Sequence, residues 1–346
     1  MKFKSKHLIY DENYFYVQIA KMKKIQIKDI LRNKESYYNE IKISKKNGFR
    51  KLSCIKSDSH LYELQKNLNC FFNKIPISNS AFGFVKGYGY KDFLKYHIGK
   101  SENKRYYLRI DIKNFFDSIN SDLLRRILDV YIEVDEVLKL VTDIVTLNDR
   151  LPQGGVNSPI LSNIVFRQLD LRIEKYCKKL NFKYSRYADD LLFSSNNEKL
   201  LYKRFVRLLE DIISSDEFNF QLNYSKMIKE IEEISLNGFV VGKNIRLSRK
   251  RRKDINKILF LYETGADIKD IKEYLARLNK ADFNYLRNKK DVNFKTGESL
   301  IQFLCGYRSF LIDWSLDENK NYYNKHQSLI RRVENLIDNI IELQSN

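Results

Sequence analysis

Apolar residues recur at helical spacing in the N-terminal part of the chain. In residues 13–75 they stand three or four positions apart, for example at Leu61, Leu64 and Leu68, which predicts mostly helix. Residues 106–112 instead form a short and nearly continuous apolar run, which is typical of a buried strand. The pattern therefore predicts a fold that mixes helices and strands.

The central part of the chain alternates between the two periods. Residues 123–140 have the spacing of an amphipathic helix, and a second helix is expected over residues 160–180. Two short apolar runs, 182–187 and 191–195, predict strands on either side of a turn at Ala188-Asp189-Asp190. This order predicts a helix followed by a tight strand–turn–strand unit.

Two segments that contain glycine interrupt these patterns. The basic segment 45–51 includes Gly48 and leads into the strand-like residues 52–55, so we expect a hairpin turned by glycine. In residues 83–90, three glycines alternate with aromatic side chains. That alternation indicates either a backbone that lies close to another group or simply a tight loop.

The length of 346 residues allows two domains, or one large domain with an appendage. Residues 248–346 have mainly helical spacing, and we place the boundary near residue 245, which gives domains 1–245 and 246–346. Hydrophobic residues make up 43% of the chain and charged residues 31%, a globular mixture that excludes a wholly disordered protein.

The charge balance indicates polyanions as partners. The chain has 63 Lys and Arg against 44 Asp and Glu, a formal net charge of +19. Such an excess is typical of proteins that bind nucleic acid. An AT-rich genome would also enrich lysine, so the charge alone leaves that second interpretation open.

The sequence offers no membrane span, because the most apolar stretch, residues 137–145, is interrupted by Lys139 and Asp143. The basic start of the chain is not followed by an apolar signal core. The cysteines have no paired spacing that would indicate zinc or a disulfide framework, and we expect a cytoplasmic protein with no membrane partner. They are Cys54, Cys70, Cys177 and Cys305.

Three aspartates stand where predicted strands end. Asp189 and Asp190 are adjacent in a turn, where like charges and burial would raise a carboxyl pKa unless a cation were present. Asp111 ends the run 106–112, and a third carboxylate would allow two Mg²⁺ ions to bind and support nucleotidyl transfer. The alternative is a polar hairpin turn, with Asp111 as a helix N-cap.

The surroundings of these aspartates form ordered blocks. The blocks are RIDIKNFFDSI at 109–119, LPQGGVNSP at 151–159 and YADD at 187–190. In this order they resemble motifs A, B and C of a reverse transcriptase. The likeness to bacterial reverse transcriptases of the retron-type and phage-defence-associated family covers roughly residues 40–320. Three more segments are similar to retron sequences: NYSK at 223–226, LNGFVV at 236–241 and CGYRSF at 305–310.

The resemblance implies a right-hand polymerase of the α+β class, with fingers and a palm that contains an antiparallel sheet, followed by an all-helical thumb. Residues 1–245 would form the fingers and palm, and residues 246–346 the thumb that binds nucleic acid. The three aspartates would hold two Mg²⁺ ions. The carbonyl of Ile112 would be a further ligand, and Asp190 would contact the ions less directly.

The resemblance also implies how the nucleotide binds. Phe116 matches the family's steric gate, whose ring would exclude a 2′-hydroxyl and select deoxynucleotides; the alternative is an ordinary core phenylalanine. Gln153 and Gly154 would shape the nucleotide pocket. Arg50 and Lys51 would supply a cation for the incoming triphosphate, unless they are solvated loop charges.

Further basic residues receive roles from the same resemblance. Lys226 is similar to the lysine that donates a proton to pyrophosphate, with a surface lysine as the alternative. His97 would orient RNA or act as a structural hydrogen-bonding residue. Cations of the thumb would make salt-sensitive phosphate contacts. They are Arg249, Lys250, Arg251, Arg252, Arg277, Arg331 and Arg332.

Some positions depart from the retron pattern. Motif B contains Gly154-Gly155, which is closer to the group II intron form. Asn237 stands where retron enzymes have Thr, and residues 93–97 keep His97 but lack the usual Asn-Ala pair. These departures leave the retron subtype open.

The predicted function is that of an RNA-directed DNA polymerase. It would copy an associated noncoding RNA into DNA by two-metal nucleotidyl transfer, in a retron or a related antiviral defence system. Its partners would be a structured RNA template, the RNA–DNA duplex, deoxynucleoside triphosphates, and a toxin, an effector protein or a second reverse transcriptase. The alternatives are a mobile-element reverse transcriptase derived from a group II intron, and an RNA-binding scaffold with an unused polymerase site.

Overall fold

The computed structural model describes residues 8–45, 48–99, 103–215, 217–265, 270–281, 283, 294–314 and 320–345. The chain divides into two compact units. The first comprises residues 1–96 and 103–232, and the second comprises residues 97–102 and 233–346. The boundary expected near residue 245 stays a prediction.

The first unit contains most of the helices and strands. Its helices are α1 (Glu12–Tyr14), which continues as a π-helical segment (Phe15–Ala20), α2 (Lys24–Arg32), α3 (His60–Phe72), α4 (Tyr90–Lys95), α5 (Ser121–Leu128), α6 (Asp135–Val145), α7 (Ser158–Leu180) and α8 (Lys203–Ile213). Its strands are β1 (Tyr38–Lys45), β2 (Gly48–Ile55), β3 (Tyr106–Ile112), β4 (Lys183–Tyr187), β5 (Asp190–Ser195) and β6 (Leu222–Ile231). Short 3₁₀ segments lie at Lys34–Tyr37 and Glu198–Leu201.

A four-stranded sheet lies at the centre of this unit. Its order is β4-β5-β3-β6, and each neighbouring pair is antiparallel. β3 lies between β5 and β6 and is buried over most of its length, which confirms the strand predicted from its apolar run. β4 and β5 form the predicted strand–turn–strand unit. The antiparallel sheet with separate helices confirms the predicted α+β class.

The hydrophobic core of the first unit includes one face of α7, which confirms the helix expected over residues 160–180. The helix begins at Ser158, two residues before the expected start, and Pro159 is tolerated because it lies in the first helical turn. The ring of Phe166 contacts the rings of Phe115 and Phe220, with centroids 5.7 and 5.4 Å away. The other buried apolar residues of this helix are Leu161, Ile164, Val165, Leu169, Ile173 and Cys177.

The single helix expected over residues 123–140 is wrong. The structure has two helices there, α5 and α6, separated by residues 129–134. The backbone N–H of Ile9 donates to the carbonyl of Tyr131 at 3.1 Å, and the N–H of Glu133 donates to the carbonyl of Ile9 at 2.8 Å. These bonds to a segment distant in sequence take the place of helical bonds, so the amphipathic pattern is shared by two shorter helices.

The prediction of mostly helix over residues 13–75, which already excepted the hairpin at 45–55, is also wrong for residues 38–44, because they form most of β1. β1 and β2 pair along their whole length, from Tyr38 opposite Ile55 to Lys45 opposite Gly48. The alternation of Ile41 and Ile43 with polar residues has the period of a strand. The hairpin predicted at residues 45–55 is therefore confirmed but longer than expected. Lys46 and Asn47 lie outside the described residues.

The second unit combines a small sheet with helices. Its antiparallel strands are β7 (Ile234–Leu236), β8 (Phe239–Val241) and β9 (Ile245–Leu247), in that spatial order. Its helices are α9 (Arg249–Glu263), α10 (Ile271–Lys280), α11 (Gly297–Trp314) and α12 (Lys320–Ser345). The ring of Phe239 stacks on Trp314 with centroids 3.8 Å apart, which joins β8 to α11. None of the helices within the described ranges has the length and apolar character needed to cross a membrane.

We expect Phe220→Ala to lower the free energy of unfolding by about 3–5 kcal/mol, because it leaves a cavity beside the aromatic rings in the core. Phe220 is fully buried. Chemical denaturation followed by circular dichroism measures this change. The control is Phe49→Ala, since that side chain is 71% exposed and its loss should change stability by no more than about 0.5 kcal/mol. Equal effects of the two substitutions would contradict the assignment of the core.

Candidate active site

Three carboxylates converge at one end of β3 and β5, the two inner strands of the four-stranded sheet. Asp111 lies near the end of β3 and pairs in register with Asp190, the first residue of β5. Asp189 lies in the turn before β5. One carboxylate oxygen from each of the three side chains lies within 4.8 Å of the others. The structure thus brings together the aspartates that the sequence singled out, and oxygen ligands at this spacing suit a hard divalent cation.

The turn that carries Asp189 has an unusual backbone. Ala188 has a φ of +57°, in the left-handed region that residues with a side chain rarely adopt. The N–H of Ile112 donates to the carbonyl of Asp189 at 2.9 Å, which ties the turn to β3. A Cβ on Gly83 would lie 2.5 Å from the backbone nitrogen of Ala188. Gly83 therefore fits the first interpretation of residues 83–90, in which a glycine permits close backbone approach.

A fully buried ion pair contacts the same turn. Nη2 of Arg186 lies 2.7 Å from Oδ2 of Asp170, and neither side chain has any exposed surface. Nη1 of Arg186 donates to the carbonyl of Ala188 at 3.1 Å and to Oδ1 of Asn163 at 3.0 Å. The hydroxyl of Tyr184 donates to Asp170 at 2.6 Å. Because the buried charges are paired and hydrogen-bonded, this cluster can hold the turn in its strained conformation.

The carboxylates are difficult to ionise together. Burial raises the pKa of Asp190 to about 6, although the Arg109 guanidinium opposes this change. Burial, and after it the nearby Asp111 carboxylate, raises the pKa of Asp189. A cation bound among the three oxygens would favour their charged forms. The electrostatics of the cluster therefore agree with its geometry in favouring a cation.

Two basic side chains neutralise part of this charge, and one neutral amide donates a hydrogen bond to it. Nζ of Lys226 donates to both oxygens of Asp111, at 3.0 and 2.9 Å. Nδ2 of Asn223 donates to Oδ1 of Asp111 at 3.0 Å, and Nη2 of Arg109 donates to Oδ1 of Asp190. Lys226 therefore lies at the carboxylates, and its predicted role in proton donation stays a prediction.

Neither Arg109 nor Asn223 was assigned a role from the sequence. Arg109 precedes Asp111 by two residues on a strand, and the strand period alone places both side chains on one face. Asn223 is the first residue of the segment that resembles N-x-x-K. Both positions could thus have been found from the spacing of residues already singled out.

A cavity of about 790 Å³ opens beside the carboxylates. Most of the residues predicted to bind the nucleotide line this cavity. The predicted residues in its lining are Arg50, Lys51, Asp111, Ile112, Phe116, Gln153, Asp189 and Lys226. The structure therefore gathers the hairpin, the motif A segment and the motif B loop around one space.

Gly154 lies against the hairpin. The N–H of Ser53 in β2 donates to the carbonyl of Gln153 at 2.8 Å. Gly154 has a φ of +116°, and a Cβ there would lie 2.8 Å from the carbonyl oxygen of Ser53 and 2.9 Å from Sγ of Cys54. Only glycine fits this contact without strain. The glycine thus lets the hairpin contact the loop at residues 151–157 directly, and this segment is the pocket loop.

Other predicted residues belong to the second unit. His97 is fully buried, which favours the structural alternative over direct contact with RNA. Arg249 and Lys250 are exposed in the first turn of α9, and Arg252 is half-buried. The side chain of Arg251 lies outside the described residues. Two of the remaining thumb cations form ion pairs: Arg277 with Glu273 and Arg332 with Glu263.

Comparisons with known proteins agree on one family. A family profile described as reverse transcriptase (RNA-dependent DNA polymerase) matches residues 41–241, more than half of the chain. Retron Ec73 reverse transcriptase of Escherichia coli is 36% identical over 160 residues, covering 42% of this chain and 50% of that protein. Retron Ec83 reverse transcriptase of Escherichia coli is 27% identical over 225 residues, covering 61% of this chain and 67% of that protein. The chain thus spans half to two thirds of the length of these relatives.

Among solved structures, apo telomerase from Candida Tropicalis is similar with a TM-score of 0.45 and 14% identity. That match covers 88% of this chain and 56% of the telomerase chain.

We expect Asp170→Ala to reduce the free energy of unfolding by about 3–5 kcal/mol, since it leaves the Arg186 charge buried without its carboxylate. Urea denaturation measures the effect. Glu174→Ala on the same helix is the matched control, because Glu174 forms an ion pair with Lys178, whose side chain is 75% exposed. That substitution should cost no more than about 1 kcal/mol. Similar losses in the two variants would argue against a stabilising buried pair.

Proposed function

The chain belongs to the reverse transcriptase family, and we propose that it is an RNA-directed DNA polymerase that copies an associated noncoding RNA into DNA. One observation carries the proposal: three carboxylates from separate elements meet at the edge of a cavity that also contains Phe116 and Arg50. This arrangement would provide a cation site, a place for a sugar and a basic group for a triphosphate within one space. That combination supports the proposed polymerase activity.

The donor set fits magnesium. Asp111, Asp189 and Asp190, together with the carbonyl of Ile112, would hold two Mg²⁺ ions, because such ions prefer carboxylate and carbonyl oxygens. When bound, these ions would activate the 3′-hydroxyl of the primer and stabilise the leaving pyrophosphate. Arg109 already engages Asp190, which supports a less direct contact of that residue with the ions.

The other residues of the cavity position the nucleotide. We propose that Arg50 and Lys51 bind the triphosphate and that Phe116 excludes ribonucleotides. Gln153 and Gly154 would shape the pocket. Lys226 would donate a proton to pyrophosphate, since its ammonium group already lies beside Asp111.

The basic first turn of α9 supports binding of nucleic acid by the second unit. Arg249 and Lys250 lie at the positive end of the helix dipole, where cations are unfavourable. A bound polyanion would remove this penalty, and the net charge of +19 would strengthen such binding. We propose that the partners are a structured noncoding RNA and its RNA–DNA duplex.

The biological setting is proposed from the relatives, which are named as retron reverse transcriptases. A retron or related antiviral system would add a toxin, an effector protein or a second reverse transcriptase as a partner. The four free cysteines agree with a reducing, cytoplasmic location. A group II intron origin and an RNA-binding scaffold are the competing outcomes of the experiments below.

The double substitution Asp189→Ala/Asp190→Ala tests the activity. Purified protein, its copurifying RNA and labelled deoxynucleotides with Mg²⁺ should yield labelled DNA, and the variant should lose more than about 100-fold of this incorporation. Asp122→Asn is the matched control, because this exposed carboxylate lies on α5 and does not line the cavity. Unchanged incorporation in the double variant would reject the site, and RNA bound without any incorporation would favour the scaffold. Sequencing the copurifying RNA separates a retron-type template from an intron.

Phe116→Ala tests the choice of sugar. We expect the preference for deoxynucleotides over ribonucleotides, measured as a ratio of kcat/KM values, to fall at least about tenfold, equivalent to about 1.4 kcal/mol. Phe116→Tyr keeps a ring at this position and should retain the preference. An unchanged ratio in Phe116→Ala would favour the alternative of an ordinary core phenylalanine.

A further inference from the structure

Phe84 has two features that are unfavourable for a phenylalanine. Its φ is +62°, in the left-handed region, which is strained for a bulky residue. Its side chain is also 44% exposed. Strained backbone of this kind persists where the surrounding structure over-determines it, and it is frequent at functional sites.

The residues before Phe84 are fixed by contacts to β4 and α7. The N–H of Arg186 donates to the carbonyl of Ser80 at 2.7 Å, and the N–H of Phe82 donates to the carbonyl of Arg186 at 2.8 Å. Nδ2 of Asn163 donates to the carbonyl of Gly83 at 2.9 Å. Gly83 itself has no room for a side chain against Ala188. Phe84 therefore follows directly after a segment that is hydrogen-bonded to β4 and α7, the elements that also hold the turn carrying Asp189.

The ring of Phe84 contacts the ring of Phe116, the proposed steric gate. Its centroid lies 6.2 Å from that of Phe116, with the two planes inclined at 58°, and both residues line the cavity. Phe116 also contacts Phe115, whose ring centroid lies 5.5 Å away. Phe115 is fixed in the core, whereas Phe84 approaches from a separate segment of the chain. Phe116 is thus supported by a core ring and by an exposed one.

We propose that Phe84 is a positioning residue for sugar selection, which holds the Phe116 ring in the orientation that excludes a 2′-hydroxyl. This inference rests on the proposed polymerase function. A gate made of one ring can exclude a 2′-hydroxyl only while that ring keeps its orientation. A modest rotation of the Phe116 ring away from its rotamer costs little free energy. Loss of the Phe84 ring should therefore weaken discrimination without abolishing synthesis.

The experiment compares kcat/KM for a matched deoxynucleotide and ribonucleotide on one template. Phe84→Asn removes the ring and suits the backbone, because asparagine tolerates left-handed φ values. We expect its preference for the deoxynucleotide to fall about fivefold to tenfold, through a better kcat/KM for the ribonucleotide. Phe84→Tyr keeps the ring and should retain the preference of the wild type. Phe84→Gly also tolerates this φ and should show the same loss as Phe84→Asn.

The double variant Phe84→Asn/Phe116→Ala is the decisive measurement. If Phe84 acts through Phe116, the double variant should discriminate no worse than Phe116→Ala alone, so the two effects are not additive. Tyr88→Asn is the matched control, since Tyr88 is an exposed aromatic residue of the same segment and is absent from the cavity lining. Its ratio should equal that of the wild type.

Three outcomes would overturn the role of Phe84: an unchanged ratio in Phe84→Asn and Phe84→Gly, additive losses in the double variant, or an equal loss in Tyr88→Asn. Wild-type protein that incorporates no deoxynucleotide would overturn the proposed function and this role with it. Wild-type synthesis with an unchanged ratio in the Phe84 variants would overturn the role alone.

Discussion

The register between β3 and its two neighbours is the constraint on which the site depends. It places Asp111 opposite Asp190 on one side and opposite Asn223 on the other. Side chains alternate between the faces of a strand, so a slip of one residue would turn Asp111 away from its partners. Leu108 and Ile110 are fully buried, and a slip would expose such residues to water. Burial of apolar side chains therefore fixes the position of the carboxylates.

The first unit contains two groups of buried charge that differ in how fully their charges are paired. Arg186 and Asp170 neutralise each other completely and have no exposed surface. At the end of β3 and β5 where the three carboxylates converge, the ion pairs that the described residues make with them come from Lys226 and Arg109, so these pairs leave negative charge in excess. Burial of unbalanced charge destabilises a fold, and it is expected where a ligand supplies the missing charge. The contrast explains why the neutral pair stabilises the turn while the unbalanced cluster is suited to binding a cation.

Local patterns in the sequence predicted β3, the hairpin and α7, because each has a clear period over its own length. The order of the three motif blocks predicted which aspartates would meet. The break between α5 and α6 could not be predicted, since it depends on hydrogen bonds to Ile9, more than a hundred residues away in sequence. The pairing of Arg186 with Asp170 joins a strand to a helix, and Phe84 takes its importance from a ring on another segment. Such contacts have no local pattern that could reveal them.

The hairpin and the pocket loop form one structural piece through Ser53, Gln153 and Gly154. The hydrogen bond from Ser53 to Gln153 joins β2 to the loop, and the absence of a side chain at Gly154 allows the two backbones to touch. Arg50 lies three residues before Ser53 on the same strand, and Gln153 lines the same cavity. Any displacement of the loop would therefore move the basic residues of the hairpin with it. The position of Arg50 and the shape of the cavity beside Gln153 are therefore coupled through this backbone contact.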